Sequence, residues 1–287
     1  MTKRATGILL VVSVVISGCQ RHIPETIPAP TPISIVPQPP GTSVHSEWLI
    51  TPVDQKLKYR STRVTSLQQT TGPAQTRDSL TTVVNFSITP KRTPSTTTYT
   101  VEIQSLHSTE DQPVVHAPFS FSGHLSDRTL KIDSVNRVPV SSVVICTTGE
   151  LSFTGVATQT MISVPAQLET GTTWTDSLSA TACTGPVPGI LSITRTYKTA
   201  GSTQINGVEA IILELDEKTT LTGEGSQEQH RVHVHGTGSG KGQLTIDATT
   251  GALLSANIDR LTLLAVTASG REEEFQQHVN EVLVRLQ

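Results

Sequence analysis

Apolar residues recur at every second position along most of the chain after residue 46, and this period is that of a β-strand. The segment 81–88, for example, places Val84, Phe86 and Ile88 on one face. The same alternation recurs in five further groups: Tyr99, Val101 and Ile103; Leu191, Ile193 and Tyr197; Ile211, Leu213 and Leu215; Val232 and Val234; Leu244 and Ile246. Polar residues fill the other face, as in antiparallel sheets with one solvated side. We therefore predict a mainly β fold: a large curved antiparallel sheet or half-barrel with long strands, or alternatively a β-sandwich, with little helix.

Turn signals separate these segments. Asn206-Gly207, the loop from Asp247 to Gly251, and Ser269-Gly270 each join two alternating runs and predict β-hairpins. In the segment 252–266 the apolar phase shifts by one residue, which predicts a β-bulge near Asp259 and Arg260. The tail 271–286 suits either a helix or a strand. We favour a final strand, because the Ser269-Gly270 turn would fold it back onto the preceding one.

The first 20 residues carry a targeting signal. Lys3 and Arg4 precede an uncharged, apolar run of about ten residues, which is too short to cross a bilayer as a helix and is typical of a signal peptide. The run ends in Ile16-Ser17-Gly18-Cys19, which resembles the lipobox of bacterial lipoproteins. The resemblance implies cleavage after residue 18 and lipidation of Cys19, and Gln20 after it implies export to the outer membrane. The alternative is an ordinary secretory signal with a chance cysteine.

The next segment separates the membrane from the body. Seven prolines lie between Pro24 and Pro40 without apolar periodicity, which favours an extended polyproline II stalk. We therefore divide the chain into a signal peptide (1–18), a lipidated N-terminus with a Pro-rich linker (19–46) and an antiparallel β domain (47–287). A Trp precedes a Tyr-bearing strand twice, at Trp48 and Trp174, which raises the alternative of two similar halves meeting near 160–170.

Composition excludes one large class of partner. Without residues 1–18 the chain has 19 basic and 24 acidic side chains, a formal charge of −5, whereas nucleic acid requires a basic face. Only ten residues of 287 are aromatic, too few for base or sugar stacking, so we expect Val, Ile and Leu to build the core. We predict no nucleic-acid partner.

Two cysteines remain once Cys19 is assigned to lipid. Cys146 and Cys183 in an exported chain most often form a disulfide, which would stabilise the fold by about 4 kcal/mol on the chain-entropy model. The alternative is a reactive thiol. No basic residue near either cysteine would lower its pKa, so we favour the disulfide.

Two further motifs resemble ligand-binding sites, one for phosphate and one for zinc. The run HGTGSGKG, 235–242, resembles a phosphate-binding loop, but His235 and Gly242 occupy positions where a P-loop needs Gly and Ser or Thr. We expect its glycines to permit a bend or a close backbone crossing. His233 and His235 have a spacing that could bind zinc, yet Val232 and Val234 point inward, so the histidines should face solvent. We find no catalytic motif, and we predict no enzyme activity, no cofactor and no metal.

One internal charge stands out. Arg195 falls in the apolar phase between Ile193 and Tyr197. A buried, unpaired guanidinium is very costly, so Arg195 must meet a carboxylate, water or an anionic ligand. A partner acid or an open sheet edge is the structural alternative to a ligand-binding role.

Long one-sided strands behind a lipidated stalk resemble the half-barrel sheets of periplasmic lipoproteins, including lipid carriers. The segments VPAQLETGTTW and GKGQLTIDATTGAL, with the chain between them, are similar to a group of uncharacterised bacterial lipoproteins. The membrane tether, the one-sided sheet, the few aromatics and the charge in the core phase together predict an exported protein, lipid-anchored to the membrane and facing the periplasm, that binds a lipid or other apolar ligand without catalysis, with Arg195 as a candidate head-group partner. The alternative is a structural or protein-docking lipoprotein with a filled core and an unknown protein partner.

Overall fold

The computed structural model describes residues 47–71, 77–108, 118–135, 138–139, 158–184, 187–227 and 230–287. These residues form fourteen strands: β1 (Glu47–Leu49), β2 (Leu57–Gln69), β3 (Arg77–Arg92), β4 (Thr97–Ser108), β5 (Phe119–Ser126), β6 (Thr129–Val135), β7 (Val138–Pro139), β8 (Gln167–Glu169), β9 (Thr173–Thr184), β10 (Val187–Ile205), β11 (Val208–Gln227), β12 (His230–Asp247), β13 (Leu253–Ala268) and β14 (Arg271–Leu286). In the described ranges, helix is limited to residues 158–160. They contain no helix long and apolar enough to cross a membrane.

Eleven strands form one closed barrel. Neighbours pair in the order β5-β4-β3-β2-β14-β13-β12-β11-β10-β9-β6, and β5 also pairs with β6, which completes the ring. We call the pairing of two neighbouring strands a joint, and ten of the eleven joints of the ring are antiparallel. The eleventh is parallel and joins β6 to β9 through Thr129 with Ser179 and Leu130 with Ala180. The short β7 extends from β6, and β1 pairs with β8 in a separate two-stranded sheet.

The mainly β prediction is confirmed, but the open half-barrel is wrong, and so is the alternative of a sandwich. The two edges that a half-barrel would leave free, on β5 and β9, are both covered by β6. The resemblance of the body to lipoproteins with half-barrel sheets is therefore wrong as well. Closure has a physical reason: a curved sheet removes its unpaired edge N–H and C=O groups by closing on itself.

The inward faces are those that the alternation predicts. Each of the six inward groups proposed from the sequence has buried members, and Tyr59, Phe86 and Tyr197 have no exposed surface. A first apolar cluster contains both Trp, all three Tyr and three of the five Phe residues. Val, Ile and Leu make up most of the core, as expected, and these aromatic side chains add to it. A second, smaller cluster consists of Val187, Val232, Val234, Leu264, Val266 and Phe275.

The predicted hairpins and the final strand are confirmed. Asn206 and Gly207 have φ of 50° and 80°, and Ser269 and Gly270 have 52° and 76°, as two-residue turns of this hand require. The bulge predicted near Asp259 and Arg260 is wrong. The β12–β13 register shifts between Thr245 and Ile246 instead, near the loop that begins at Asp247.

Candidate functional site: a charged layer inside the barrel

Six charged side chains lie on inward positions of the barrel wall at similar height, and we call them the charged layer: Arg63, Asp176, Arg195, Glu217, Arg260 and Glu281. The strand register creates the layer. Arg195 of β10 lies opposite Asp176 of β9 and opposite Glu217 of β11. Glu281 of β14 lies opposite Arg63 of β2. The layer separates the first apolar cluster from the second, because Leu215 and Ile258 lie next to it on one side and Leu264 follows on the other.

Arg195 and Asp176 form a buried ion pair. The Arg195 guanidinium donates from Nε to Asp176 Oδ1 at 2.7 Å and from Nη2 to Oδ2 at 2.8 Å, the bidentate geometry that favours a strong pair. Their side chains are 6% and 9% exposed. Burial by itself would lower the pKa of Arg195, but the Tyr197 and Asp176 oxygens outweigh burial and raise it. The guanidinium also lies 5.8 Å from the centre of the Tyr197 ring.

The remaining donors of Arg195 hold a segment of main chain. Nη1 donates to the carbonyl of Thr158 at 3.0 Å and Nη2 to that of Met161 at 2.8 Å. Asp176 Oδ2 accepts the N–H of Ser163 at 3.2 Å, and Trp174 Nε1 donates to the Ser163 carbonyl at 2.8 Å. We call residues 158–166 the strap. Three side chains of the wall therefore hold the strap chiefly by its backbone.

The strap crosses the interior of the barrel. Its Gln159 side chain donates to Glu281 of β14, whereas Arg195, which holds its carbonyls, projects from β10. Three strands separate β10 from β14 in the wall, so a segment that meets inward side chains of both lies within the ring. Thr158 is buried, and Met161, Ile162 and Val164 pack against the first apolar cluster. The strap thus fills part of the lumen.

Arg260 bridges two acids. Its Nε donates to Glu217 at 2.7 Å and its Nη1 to Glu281 at 2.9 Å, with the Arg260 side chain 14% exposed and both Glu side chains 3% exposed. Ser61 adds a hydrogen bond to Glu281 at 2.9 Å. Burial alone would lower the pKa of Arg260, but the charges of Glu217 and Glu281 outweigh it and raise that pKa. This arrangement satisfies charges that would be very costly in isolation.

Arg63 balances the remaining charge. With both groups ionised, the Arg195–Asp176 pair is neutral, whereas Arg260 with its two acids carries one net negative charge. Arg63 is the third arginine of the layer, and its Nε is buried without a hydrogen-bond partner. Burial lowers the pKa of Arg63, while Glu281 and Glu217 oppose that shift. The layer sums to zero charge, so its composition does not favour an anionic ligand.

Glycines on β12 make the bridge possible. Gly236, Gly238, Gly240 and Gly242 occupy successive inward positions of this strand. Gly240 lies between Glu217 and Arg260 in the register, and a Cβ there would meet Arg260 Cγ at 3.0 Å and Glu217 Cβ at 3.4 Å. Side chains two strands apart can therefore touch across β12. The glycines of the run HGTGSGKG thus permit a close approach, but at Gly240 it is an approach of two side chains rather than the backbone crossing that the sequence predicted.

The predicted cysteine sites lie largely beyond what the structure describes. Cys19 and Cys146 are outside the described residues. Cys183 lies in β9, but its side chain is not described. Lipidation of Cys19 and the Cys146–Cys183 disulfide both stay predictions.

The structure places the predicted histidines on the outer face. His235 is exposed, and His233 Nδ1 lies 3.2 Å from Glu224 Oε1, with the His233 side chain 45% exposed. Glu224 also pairs with Arg231 at 3.0 Å. In the part of the chain that the structure describes, no group of three or more His, Cys, Asp or Glu residues could hold a metal.

Sequence reasoning found Arg195 but missed the bridged acids and Arg260. Glu217 follows the inward residues Leu213 and Leu215, and Glu281 lies between Val279 and Leu283, so the phase rule that singled out Arg195 identifies both. Arg260 was missed for another reason. The predicted phase shift put Leu261 and Leu263 inward, whereas they are 39% and 56% exposed on the outer face.

A surface groove of about 530 Å³ lies over β4, β5 and β6. Its polar lining consists of Thr100, Glu102, Gln104, Ser120, Ser122 and Ser134, and its apolar lining of Ile103, Pro118, Phe119 and Phe121. Its carboxylate, Glu102, already pairs with Lys56 at 2.5 Å. The groove contains no cluster of charged groups comparable with the layer inside the barrel.

Comparisons with known proteins assign no family. No family model and no curated protein matches the chain. Among solved structures, OccK8 (OprE) of Pseudomonas aeruginosa aligns with 7% identity and a TM-score of 0.22, covering 82% of this chain and 99% of that one. OccAB4 of Acinetobacter baumannii aligns with 8% identity and a TM-score of 0.19, covering 81% and 98%. Both TM-scores are too low to indicate a shared fold.

Proposed function

We propose that this chain is a non-catalytic envelope protein whose barrel is structural, is filled by its own strap and acts by presenting its outer wall to a partner. The observation that carries the proposal is that the N–H donors of Arg195 are largely occupied by acceptors within the protein. Of its five N–H donors, four are used on Asp176 and on the two strap carbonyls. An arginine so occupied is not available for the head group of a lipid.

The packing of the first apolar cluster supports a filled core. Tyr59, Phe86, Ile211 and Leu213 point inward and have no exposed surface, so no water-sized space touches them. An eleven-stranded wall encloses more room than the roughly eight-stranded barrels that side chains alone can fill. Here the strap and the large aromatic side chains occupy that room. A ligand in this part of the lumen would have to displace them.

The outer wall supports a role at a solvated surface. Ion pairs cross its strands, with Lys198 to Glu214 at 3.5 Å and Lys241 to Asp216 at 3.8 Å, and their side chains are 58% to 85% exposed. Charged rows of this kind are costly against lipid and stable in water. Tethering through Cys19 and the stalk 19–46, at the outer membrane and facing the periplasm, is the further part of this proposal.

A titration with a fluorescent fatty acid tests the proposal against the apolar-ligand hypothesis, which also stays a prediction. We expect no saturable uptake by the unchanged chain and none by Arg195→Leu. The matched control is Lys241→Leu, which removes an outward positive charge of the same wall. Saturable uptake by the unchanged chain, weakened by Arg195→Leu and not by Lys241→Leu, would replace the docking function with ligand binding.

A further inference from the structure

The barrel is closed by one joint that differs from the other ten, and we call this β6–β9 joint the seam. It consists of two residue pairs, Thr129 with Ser179 and Leu130 with Ala180. The shortest other joint, between β5 and β6, has six pairs, and the β11–β12 joint has eighteen. Parallel pairing is also slightly less stable per residue than antiparallel pairing. The wall therefore has a single weak joint among those that the structure describes.

The number of strands explains why the seam is parallel. Strands that alternate in direction around a ring of eleven must meet with the first and last strands running the same way. The seam also lies at the tip of the β5–β6 hairpin, where Asp127 and Arg128 have φ of 46° and 63°. One additional backbone bond joins the tip to β9, from Ser179 N–H to the Arg128 carbonyl at 2.8 Å.

On the inward face the side chains at the seam and next to it on β9 are apolar and belong to the first apolar cluster, whereas Thr129 and Ser179 are polar. Leu130 is 2% exposed, Leu178 5% and Ala180 3%. The strap is bound to the same strand, because Trp174 and Asp176 of β9 both contact Ser163. A separation of β6 from β9 would thus uncover an apolar strip beside the strap.

We propose that the barrel opens reversibly at the seam, with the β5–β6 hairpin moving away from β9 as a unit while the ten antiparallel joints stay paired. The open form exposes Leu130, Leu178 and Ala180 beside the strap. This inference does not depend on the docking function, because it concerns how the wall moves rather than what the outer surface binds.

Amide hydrogen exchange on the unchanged chain tests the opening. We expect the Ser179 amide to exchange at least about 100-fold faster than the amides in the middle of β12, because only seam opening is needed to free it. We expect amides bonded between β5 and β6 to stay protected relative to the seam. Exchange at Ser179 within about tenfold of β12, or equally fast exchange throughout the β5–β6 joint, would overturn the proposal.

A disulfide staple provides the matched comparison. Thr129→Cys with Ser179→Cys joins register partners of the seam, and neighbouring strands lie within the distance that a disulfide spans. The control, Thr220→Cys with Thr237→Cys, joins outward register partners of the β11–β12 joint. Both pairs are made in the full chain with its three native cysteines changed to Ser. Oxidation should slow seam exchange relative to β12 at least about tenfold in the first protein and not in the second. Equal effects of the two staples, or none, would refute seam opening.

Discussion

The bridge formed by Arg260 gives the sharpest stability prediction. In Arg260→Met an apolar side chain of similar length leaves Glu217 and Glu281, each 3% exposed, without the cation that joins them. Removing one partner of a buried ionic group typically costs about 3–5 kcal/mol, and here two carboxylates lose their partner. We expect a loss of at least about 3 kcal/mol in the free energy of unfolding at neutral pH, measured by urea denaturation.

The same variant should acquire a characteristic pH dependence. Without Arg260 the charged layer has two basic and three acidic groups, so one proton taken up by the folded chain restores its neutrality, whereas an unfolded Glu releases its proton above about pH 4.3. The folded state then binds more protons than the unfolded state, so stability falls as pH rises. One retained proton gives at most about 1.4 kcal/mol per pH unit. Arg260→Met should therefore be more stable at about pH 5 than at about pH 8.

Two further variants make this reasoning refutable. Adding Glu217→Gln to Arg260→Met removes one of the two charges and should reduce the pH slope. Lys241→Met breaks an ion pair whose Lys side chain is 85% exposed, and it should change stability by less than about 0.5 kcal/mol. A loss below about 1 kcal/mol in Arg260→Met, or stability that rises with pH, would show that the bridge does not hold the charged layer.

Three other outcomes follow from the described contacts and from the cysteine prediction. Gly242→Ala should lower the free energy of unfolding by about 1–3 kcal/mol, because its Cβ would lie 2.5 Å from a backbone oxygen of β13. The control is the outward Ser239→Ala, which should change that free energy by less than about 0.5 kcal/mol. Equal effects of the two variants in thermal denaturation would contradict this. Trp174→Phe keeps an aromatic ring but loses the hydrogen bond from the indole N–H to the strap. The strap amides should then exchange faster, and the free energy of unfolding should fall by about 1 kcal/mol. Unchanged amide exchange would count against the contact. Cys146 and Cys183 should resist alkylation without reduction, and a mass increase of two alkyl groups would exclude their disulfide.

Local sequence patterns predicted the structural features that depend on neighbouring residues, namely the inward faces of the strands and the hairpin turns. The period-two alternation identified the inward faces, and the Asn-Gly and Ser-Gly turns predicted the hairpins, because side-chain direction and turn φ depend on a few neighbouring residues. Closure into a barrel depends on pairing between β6 and β9, which share only two residue pairs, each between residues 50 positions apart along the chain (179 − 129). The short β6 carries no pattern that distinguishes a closing strand from an edge strand.

The error on β13 shows why hydrophobicity alone does not set the phase of a strand. Leu261 and Leu263 are apolar and yet face outward, and isolated apolar residues on a surface are common. The Ser269-Gly270 turn fixes the register instead. It pairs Ala268 with Arg271, and this pair sets the β14 partner of each preceding residue of β13. Counting back from that turn by twos keeps Val266, Leu264, Thr262 and Arg260 on one face. The turn predicts the inward Arg260 that the apolar residues conceal.

The glycine run and the charged layer are parts of one arrangement. Neighbouring strands are about 4.8 Å apart, so Glu217 and Arg260 project from backbones about twice that distance apart, with β12 between them. A side chain at Gly240 would occupy the space through which Arg260 reaches Glu217. Without that contact Glu217 and Glu281, each 3% exposed, would no longer share a cation, and Glu281 is the acid that binds Gln159 of the strap. The four inward glycines therefore permit the polar layer that joins the wall to the segment filling it.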